Sequence, residues 1–147
     1  MNIQLDDYAA EDEDMARIMS TTRVVAMVGL SPNETRPSWG VARYLLALGM
    51  RVIPVNPGHT GKVILGETTY ARLADIPDSI PVDMVDIFRR SDAVGTIVDE
   101  ALQNLPGLKT IWCQLGVRDD KAAEKARDRG MTVVQDRCPK IEFARVA

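Results

Sequence analysis

The chain contains the stretch Val24-Val25-Ala26-Met27-Val28-Gly29-Leu30-Ser31, in which five apolar residues run without a break into a glycine. An unbroken apolar run of this length is typical of a strand in the buried centre of a parallel sheet. A polar loop follows, and we expect a helix to begin near Ser38. A strand that ends on glycine and leads into a helix is typical of a nucleotide-binding βαβ unit. There the glycine lets a ligand approach the backbone, and the helix N-terminus attracts a phosphate.

Apolar and amphipathic stretches alternate along the rest of the chain. Strands are expected at residues 24–28, 51–55, 63–65, 82–88, 109–113 and 131–134. Helices are expected at residues 11–20, 38–48, 91–103 and 119–129, with a helical turn at 70–74 and a tail at 136–143. The expected helix caps are Ser38, Ser91, and Asp119 or Asp120. This alternation predicts an α/β fold with one Rossmann-like, doubly wound, mostly parallel sheet of about five to six strands.

Composition limits the classes of function. The 147 residues suit one domain, for which we expect a tail and a short amphipathic helix at 1–20 and the domain itself at 21–147. Hydrophobic residues are 46% and the net charge is −3, which argues against a nucleic-acid or membrane-surface binder. No signal peptide or membrane span is evident, so we expect a cytoplasmic protein. One histidine and two cysteines predict neither a metal site nor a disulfide framework.

Each predicted strand is followed by residues that suit a ligand crevice. In a doubly wound sheet the carboxyl ends of the strands face one crevice, at the point where the strand order reverses. The residues at these ends are Gly29, Leu30, Ser31, Asn56, Pro57, Phe88, Arg89, Gln114, Leu115, Gly116, Arg137, Cys138 and Pro139. Arg36, in the loop after the first strand, carries a guanidinium that suits bidentate pairing with a phosphate.

The dinucleotide pattern is incomplete. The motif GxGxxG is absent, because the next glycine after Gly29 is Gly40, inside the predicted helix. NAD-binding domains place a carboxylate after the second strand, where this chain has Val55-Asn56-Pro57. Both departures count against NAD, although an NAD-binding redox-sensing module remains an alternative.

An ordered set of motifs resembles the small CoA-binding proteins. Their single Rossmann-like domain is similar to the N-terminal domain of the succinyl-CoA synthetase alpha subunit. The matching pieces are Val28-Gly29-Leu30-Ser31, Arg36-Pro37-Ser38, Val52-Ile53-Pro54-Val55-Asn56-Pro57, Leu65-Gly66-Glu67, Val85-Asp86-Ile87-Phe88-Arg89-Arg90, Trp112-Cys113-Gln114-Leu115-Gly116-Val117 and Asp136-Arg137-Cys138. The resemblance covers roughly residues 20–143.

The resemblance implies that CoA or an acyl-CoA lies across the strand ends. The phosphates would sit on the Gly29–Ser31 turn and the helix start at Ser38, near Arg36. The adenosine would lie beside Asn56 and Pro57, and the pantetheine arm beside Gln114 and Gly116. The full expected set is Gly29, Leu30, Ser31, Arg36, Pro37, Ser38, Asn56, Pro57, Phe88, Arg89, Gln114, Gly116 and Cys138.

The sequence carries no clear catalytic group. The synthetase relatives use a phosphohistidine in a separate ligase domain, for which 147 residues leave no room. His59 lies in a glycine-bearing loop without an orienting partner nearby, and Cys113 suits a buried small hydrophobe. Cys138 lies beside the expected crevice, where a mixed disulfide with the CoA thiol is the less favoured alternative. We therefore expect a CoA-binding or acyl-CoA-binding module without activity of its own. A CoA-dependent enzyme component that needs a partner chain is the other alternative.

Overall fold

The computed structural model describes the backbone of residues 5–147 and the side chains of residues 11–147. Its strands are β1 (Val24–Val28), β2 (Arg51–Val55), β3 (Val63–Ile64), β4 (Glu67–Thr68), β5 (Met84–Ile87), β6 (Thr110–Cys113) and β7 (Thr132–Val134). Its α-helices are α1 (Leu5–Thr21), α2 (Pro37–Ala47), α3 (Val94–Asn104), α4 (Asp120–Asp128) and α5 (Pro139–Val146). Short 3₁₀ helices cover Pro57–His59, Leu73–Asp75 and Ser91–Ala93.

The main sheet has five parallel strands in the order β2-β1-β5-β6-β7. The chain moves outward from β1 to β2 and then crosses back to β5, so the strand order reverses between β1 and β5. This arrangement confirms the predicted α/β, doubly wound fold. It also places the expected ligand crevice at the carboxyl ends of β1 and β5.

The short strand predicted at 63–65 does not join this sheet. β3 pairs with β4 in a separate antiparallel hairpin. Tyr70 instead lies against the outer edge of β2, where its N–H donates to the Pro54 carbonyl at 3.0 Å and its carbonyl accepts from Asn56 at 2.8 Å. The predicted helical turn at 70–74 lies further along, at Leu73–Asp75.

Helices cover both faces of the sheet, and every residue of β1 is buried. One face packs on α3 and α4 through residues such as Ile87, Val98 and Ile111. The other face packs on α1, α2 and α5, and includes Trp112, which is fully buried as expected. Burial on both faces explains why the first strand is apolar at every position.

Two of the three expected helix caps differ in the structure, and the third is confirmed. α2 begins at Pro37 with Arg36 as its N-cap residue, so Ser38 lies inside the first turn. A 3₁₀ turn that begins at Ser91 precedes α3, and the Ser91 hydroxyl accepts from the Arg118 N–H at 3.0 Å instead of capping the helix. The expected cap of α4 is confirmed, because Asp119 accepts from the Ala122 N–H at 3.0 Å.

Both ends of the chain are more helical than expected. α1 begins at Leu5 rather than at residue 11, and residues 1–4 of the expected tail lie outside the described residues. The predicted tail at 136–143 contains the start of α5, which the sequence analysis missed. Helices α1 and α5 pack together. Arg145 of α5 forms an ion pair with Asp12, and Arg137, just before α5, forms one with Glu11 at 2.6 Å. Across residues 5–147, none of the helices has the length and apolar character needed to cross a membrane.

Candidate functional site

The glycine turn after β1 is crowded by the neighbouring strand ends. Gly29 has φ +92°, and a Cβ at this position would lie 2.4 Å from the Phe88 carbonyl oxygen and 3.2 Å from Cδ of Arg89. Its N–H donates to the Val55 carbonyl at 2.7 Å. Contacts within the protein therefore require a glycine at position 29. The sequence had suggested a different reason, namely that the glycine lets a ligand approach the backbone.

The loop after this turn is held by its own side chains. The Ser31 N–H donates to the buried hydroxyl of Ser38 at 3.1 Å, and the Ser31 hydroxyl accepts from the Asn33 N–H at 3.1 Å. Asn33 in turn accepts from the N–H and the hydroxyl of Thr35 at 3.0 and 2.7 Å. These bonds lead the chain to the exposed Arg36 at the start of α2.

Asn56 connects the loops after β1 and β2. Its Oδ1 accepts from the Gly58 N–H at 3.0 Å and caps the 3₁₀ helix Pro57–His59. Its Nδ2 donates to the Leu30 carbonyl at 3.1 Å. Leu30 is fully buried, so it takes part in the crevice only by holding Asn56 through its carbonyl.

Two grooves open along the carboxyl edge of the sheet. The Pro57 groove has a volume of about 360 Å³ and its lining includes Val28, Val55, Pro57, Ala71, Arg72, Arg89 and Ile97. The Gln114 groove has a volume of about 600 Å³ and is lined by Pro37, Val41, Phe88, Arg89, Arg90, Gln114, Leu115, Val117 and Cys138. Arg89 lines both grooves, so its side chain stands at their junction, beside the strand-order reversal.

The structure brings part of the expected set together. Six of the residues line the grooves, namely Pro37, Pro57, Phe88, Arg89, Gln114 and Cys138. Seven line neither groove, namely Gly29, Leu30, Ser31, Arg36, Ser38, Asn56 and Gly116. Gly116 is turned away toward Asp136, whose carboxylate accepts its N–H at 2.6 Å.

Several groove residues lie outside the expected set. Val41 belongs to the apolar face of α2 that packs in the core, and it also lines the Gln114 groove. Leu115, which follows a strand end and was expected to face the crevice, lines the Gln114 groove and is 59% exposed. No sequence pattern predicts that Ala71 and Arg72 lie at the crevice. They reach the Pro57 groove because Tyr70, the residue before them, forms a bridge with β2.

The charges at this edge suit an anionic ligand. Arg90 pairs with Asp92 at 3.2 Å, and both of these side chains are largely exposed. Within residues 11–147, neither Arg36 nor Arg89 takes part in an ion pair. Guanidinium groups without a carboxylate partner are well suited to bind phosphate.

Gln114 and Cys138 form a small polar part of an otherwise apolar groove wall. Gln114 is 6% exposed, and its Oε1 has no hydrogen-bond partner among the described residues. Cys138 is 8% exposed and occupies the N-cap position of α5, where its side chain makes no capping hydrogen bond. An unpaired buried amide oxygen next to an open groove suits a ligand that donates a hydrogen bond.

Two buried groups lie beneath the crevice. Asp86 is fully buried, and neither of its carboxylate oxygens has a partner in the described part of the chain, so desolvation raises its pKa well above 3.8. Nothing in the sequence pattern predicted this burial. Cys113 is buried as expected, and burial, with Asp86 and Asp119 nearby, raises the pKa of its thiol to about 12. Its thiol is therefore protonated and unreactive near neutral pH.

Comparison with known proteins identifies the family. The family model described as CoA binding domain matches residues 23–144. The uncharacterized protein YneT of Bacillus subtilis (strain 168) is 30% identical over 131 residues, which cover 89% of this chain and 93% of YneT. The solved structure of cell-free ID.343 from Thermus thermophilus is 32% identical with a TM-score of 0.85, covering 92% of this chain and 98% of that one.

A larger protein shares the fold. In the dinucleotide forming acetyl-coenzyme A synthetase 1 of Ca. Korarchaeum cryptofilum, the similar region covers 79% of this chain and 26% of that one, at 24% identity and a TM-score of 0.63. The family model and the full-length relatives confirm the resemblance drawn from the motifs, and the chain belongs to the family of CoA-binding domains.

Proposed function

We propose that this chain binds CoA or an acyl-CoA across the carboxyl edge of its sheet and has no catalytic activity of its own. The observation that carries the proposal is the pair of grooves that meet at Arg89, in a chain of the CoA-binding domain family. Grooves of about 360 and 600 Å³ lie in the size range of small-molecule sites. An extended ligand with a charged middle suits two grooves with an arginine between them.

The adenosine end of the ligand is assigned to the Pro57 groove. Val55, Pro57 and Ile97 give this groove an apolar wall that suits a purine ring. Asn56 holds the adjoining loop in place through its bonds to Gly58 and Leu30.

The diphosphate is assigned to the junction of the grooves. Arg89 lines both grooves, and Arg36 is exposed at the start of α2. The Gly29–Ser31 turn precedes this helix, and the hydrogen bond from Ser31 to Ser38 holds the turn against it. A cation and a helix start together favour a negatively charged group.

The pantetheine arm is assigned to the Gln114 groove. Pantetheine has two amide N–H groups, and the unpaired Oε1 of Gln114 is a suitable acceptor for one of them. Phe88, Val41 and Val117 supply apolar contacts for the methyl and methylene groups of the arm. The same apolar walls suit the acyl group of an acyl-CoA.

The proposal of binding without catalysis rests on the chemistry of the available groups. The His59 ring lies 3.3 Å from the Lys62 ammonium, which neither orients it as a base nor completes a nucleophilic pair. Cys113 is buried and protonated. An enzyme that needs a partner chain would require a reacting group from that partner.

Calorimetric titration with CoA, dephospho-CoA and NAD tests this function. We expect CoA to bind and NAD to give no comparable heat. Weaker binding of dephospho-CoA than of CoA would indicate a contact with the 3′-phosphate. Tight binding of NAD, or no binding of CoA, would contradict the proposal and favour the redox-sensing alternative or a different ligand.

A further inference from the structure

Cys138 lies in the groove that is assigned to the pantetheine arm, whose far end carries the thiol of CoA. It lines the Gln114 groove together with Phe88 and Gln114 and is absent from the lining of the Pro57 groove. Its backbone carbonyl accepts the N–H groups of Ile141 and Glu142 at 3.0 Å each, while its side chain makes no capping bond. The sulfur is therefore not used in holding the start of α5.

Gln114 provides an independent sign that this wall contacts a ligand. Its side chain is more than nine-tenths buried, lines the same groove and leaves Oε1 unpaired within the described residues. A buried acceptor without a donor costs free energy unless a bound group supplies that donor. An amide N–H of a pantetheine arm would do so and would direct the end of the arm along the wall that contains Cys138.

The other cysteine provides an internal contrast. Cys113 is 1% exposed and lines neither groove, and burial beside Asp86 and Asp119 keeps its thiol protonated. Reactivity in thiol–disulfide exchange requires an accessible thiolate. Of the two thiols, only Cys138 opens onto the site.

We propose that Cys138 is a thiol–disulfide exchange site for the sulfur end of a pantetheine-type ligand, an inference that rests on the proposed function. The co-reactant is the disulfide form of that ligand, such as CoA disulfide. The Cys138 thiolate attacks one ligand sulfur, a bond forms between Sγ and that sulfur, and the S–S bond of the ligand breaks. The second ligand molecule leaves as a thiolate and takes up the proton that Cys138 released, so the ligand disulfide is the only oxidant needed.

The groove gives this exchange its selectivity. Cys138 is only 8% exposed, so a small disulfide from bulk solvent has restricted access to it. A pantetheine disulfide is held by Arg89 and Gln114 and presents its sulfur at a high local concentration. Holding the reacting groups together in this way should make the reaction at least about tenfold faster than with an unbound disulfide.

Intact-mass spectrometry of the full reduced chain tests the inference. CoA disulfide and glutathione disulfide are added in parallel at equal concentration, and peptide mapping locates the adduct without reliance on any variant. We expect one CoA per chain at Cys138, released by a reductant, formed at least about tenfold faster than the glutathione adduct and slowed by excess desulfo-CoA. Cys113→Ala should react like the unmodified chain, whereas Cys138→Ser should give no adduct.

The outcomes separate the two proposals. Absence of an adduct, an adduct at Cys113, or equal rates with both disulfides would overturn the exchange site. Titration of the reduced wild-type chain with CoA in the same buffer measures reversible binding separately. Binding of CoA without adduct formation would overturn the exchange site alone, whereas loss of both would overturn the proposed function as well.

Discussion

The side-chain amide of Asn56 donates to the backbone carbonyl of Leu30 at 3.1 Å, and thereby ties the loop after β2 to the loop after β1. The same side chain caps the 3₁₀ helix at Pro57–His59 through Oδ1. One residue thus positions two loops on either side of the proposed phosphate site. Its two bonds use different atoms, so they can be separated by mutation.

Asn56→Asp should weaken CoA binding more than it lowers stability. The aspartate keeps an oxygen for the Gly58 N–H but loses the donor to Leu30 and places a negative charge near the diphosphate. We expect binding to weaken by about 1–3 kcal/mol, as measured by calorimetry. Asn104→Asp is the matched control, because Asn104 itself lines neither groove and also donates to a backbone carbonyl, that of Glu100 at 2.8 Å. Equal loss of CoA affinity in both variants would contradict this role of Asn56.

Gly29→Ala should destabilise the fold strongly. The new Cβ would meet the Phe88 carbonyl at 2.4 Å, in addition to the strain of an alanine at φ +92°. Gly49→Ala is the control, since Gly49 has φ +93° and no atom within 4 Å of the added Cβ. We expect the control to cost about 1 kcal/mol and Gly29→Ala about 2 kcal/mol more in urea unfolding. Similar losses in the two variants would show that the strand ends relax to accept the methyl group.

Local pattern was sufficient to predict the five strands of the main sheet but not β4 or the details of the loops. β1 is recognisable because burial on both faces removes polar residues from it, and strand ends predict the crevice because parallel strands share one carboxyl edge. Whether a loop side chain points into the crevice depends on contacts distant in sequence. Leu30 enters the core and Gly116 turns to Asp136, and neither orientation is encoded in its neighbours. α5 was missed because Cys138-Pro139 resembles a loop, whereas proline is in fact the first residue of the helix.

Arg89→Ala should weaken CoA binding more than Arg90→Ala. Arg89 lines both grooves, and we expect its loss to cost about 1.5–3 kcal/mol of binding free energy, the usual range for a charge-assisted hydrogen bond. Arg90 also lines the Gln114 groove, but its guanidinium is paired with Asp92 at the surface, so its removal should cost less than about 1 kcal/mol. Arg36→Ala tests the other cation near the proposed diphosphate and should show a loss similar to that of Arg89→Ala. Unchanged dissociation constants would remove these arginines from the site.

Asp86 should make the protein less stable as the pH rises. Burial without a partner raises the pKa of this carboxyl in the folded state well above its ordinary value of 3.8, so the folded chain keeps a proton that the unfolded chain releases. The unfolded state then binds fewer protons, and the free energy of unfolding falls as the pH rises from that value toward the folded-state pKa. Asp86→Asn keeps the shape but cannot titrate, and should remove this part of the pH dependence.

Urea unfolding between about pH 4 and pH 8 measures the effect of Asp86. Asp86→Leu should also remove the pH dependence and should stabilise the fold near neutral pH by about 1–3 kcal/mol, because a buried polar group without a partner is replaced by an apolar one. Asp83→Asn is the control on the same strand segment, since Asp83 accepts the N–H groups of Arg23 and Val24 and its replacement should lower stability. If Asp86→Leu were destabilising and kept the pH dependence of the wild type, the carboxyl would have to be ionised and paired in the folded state.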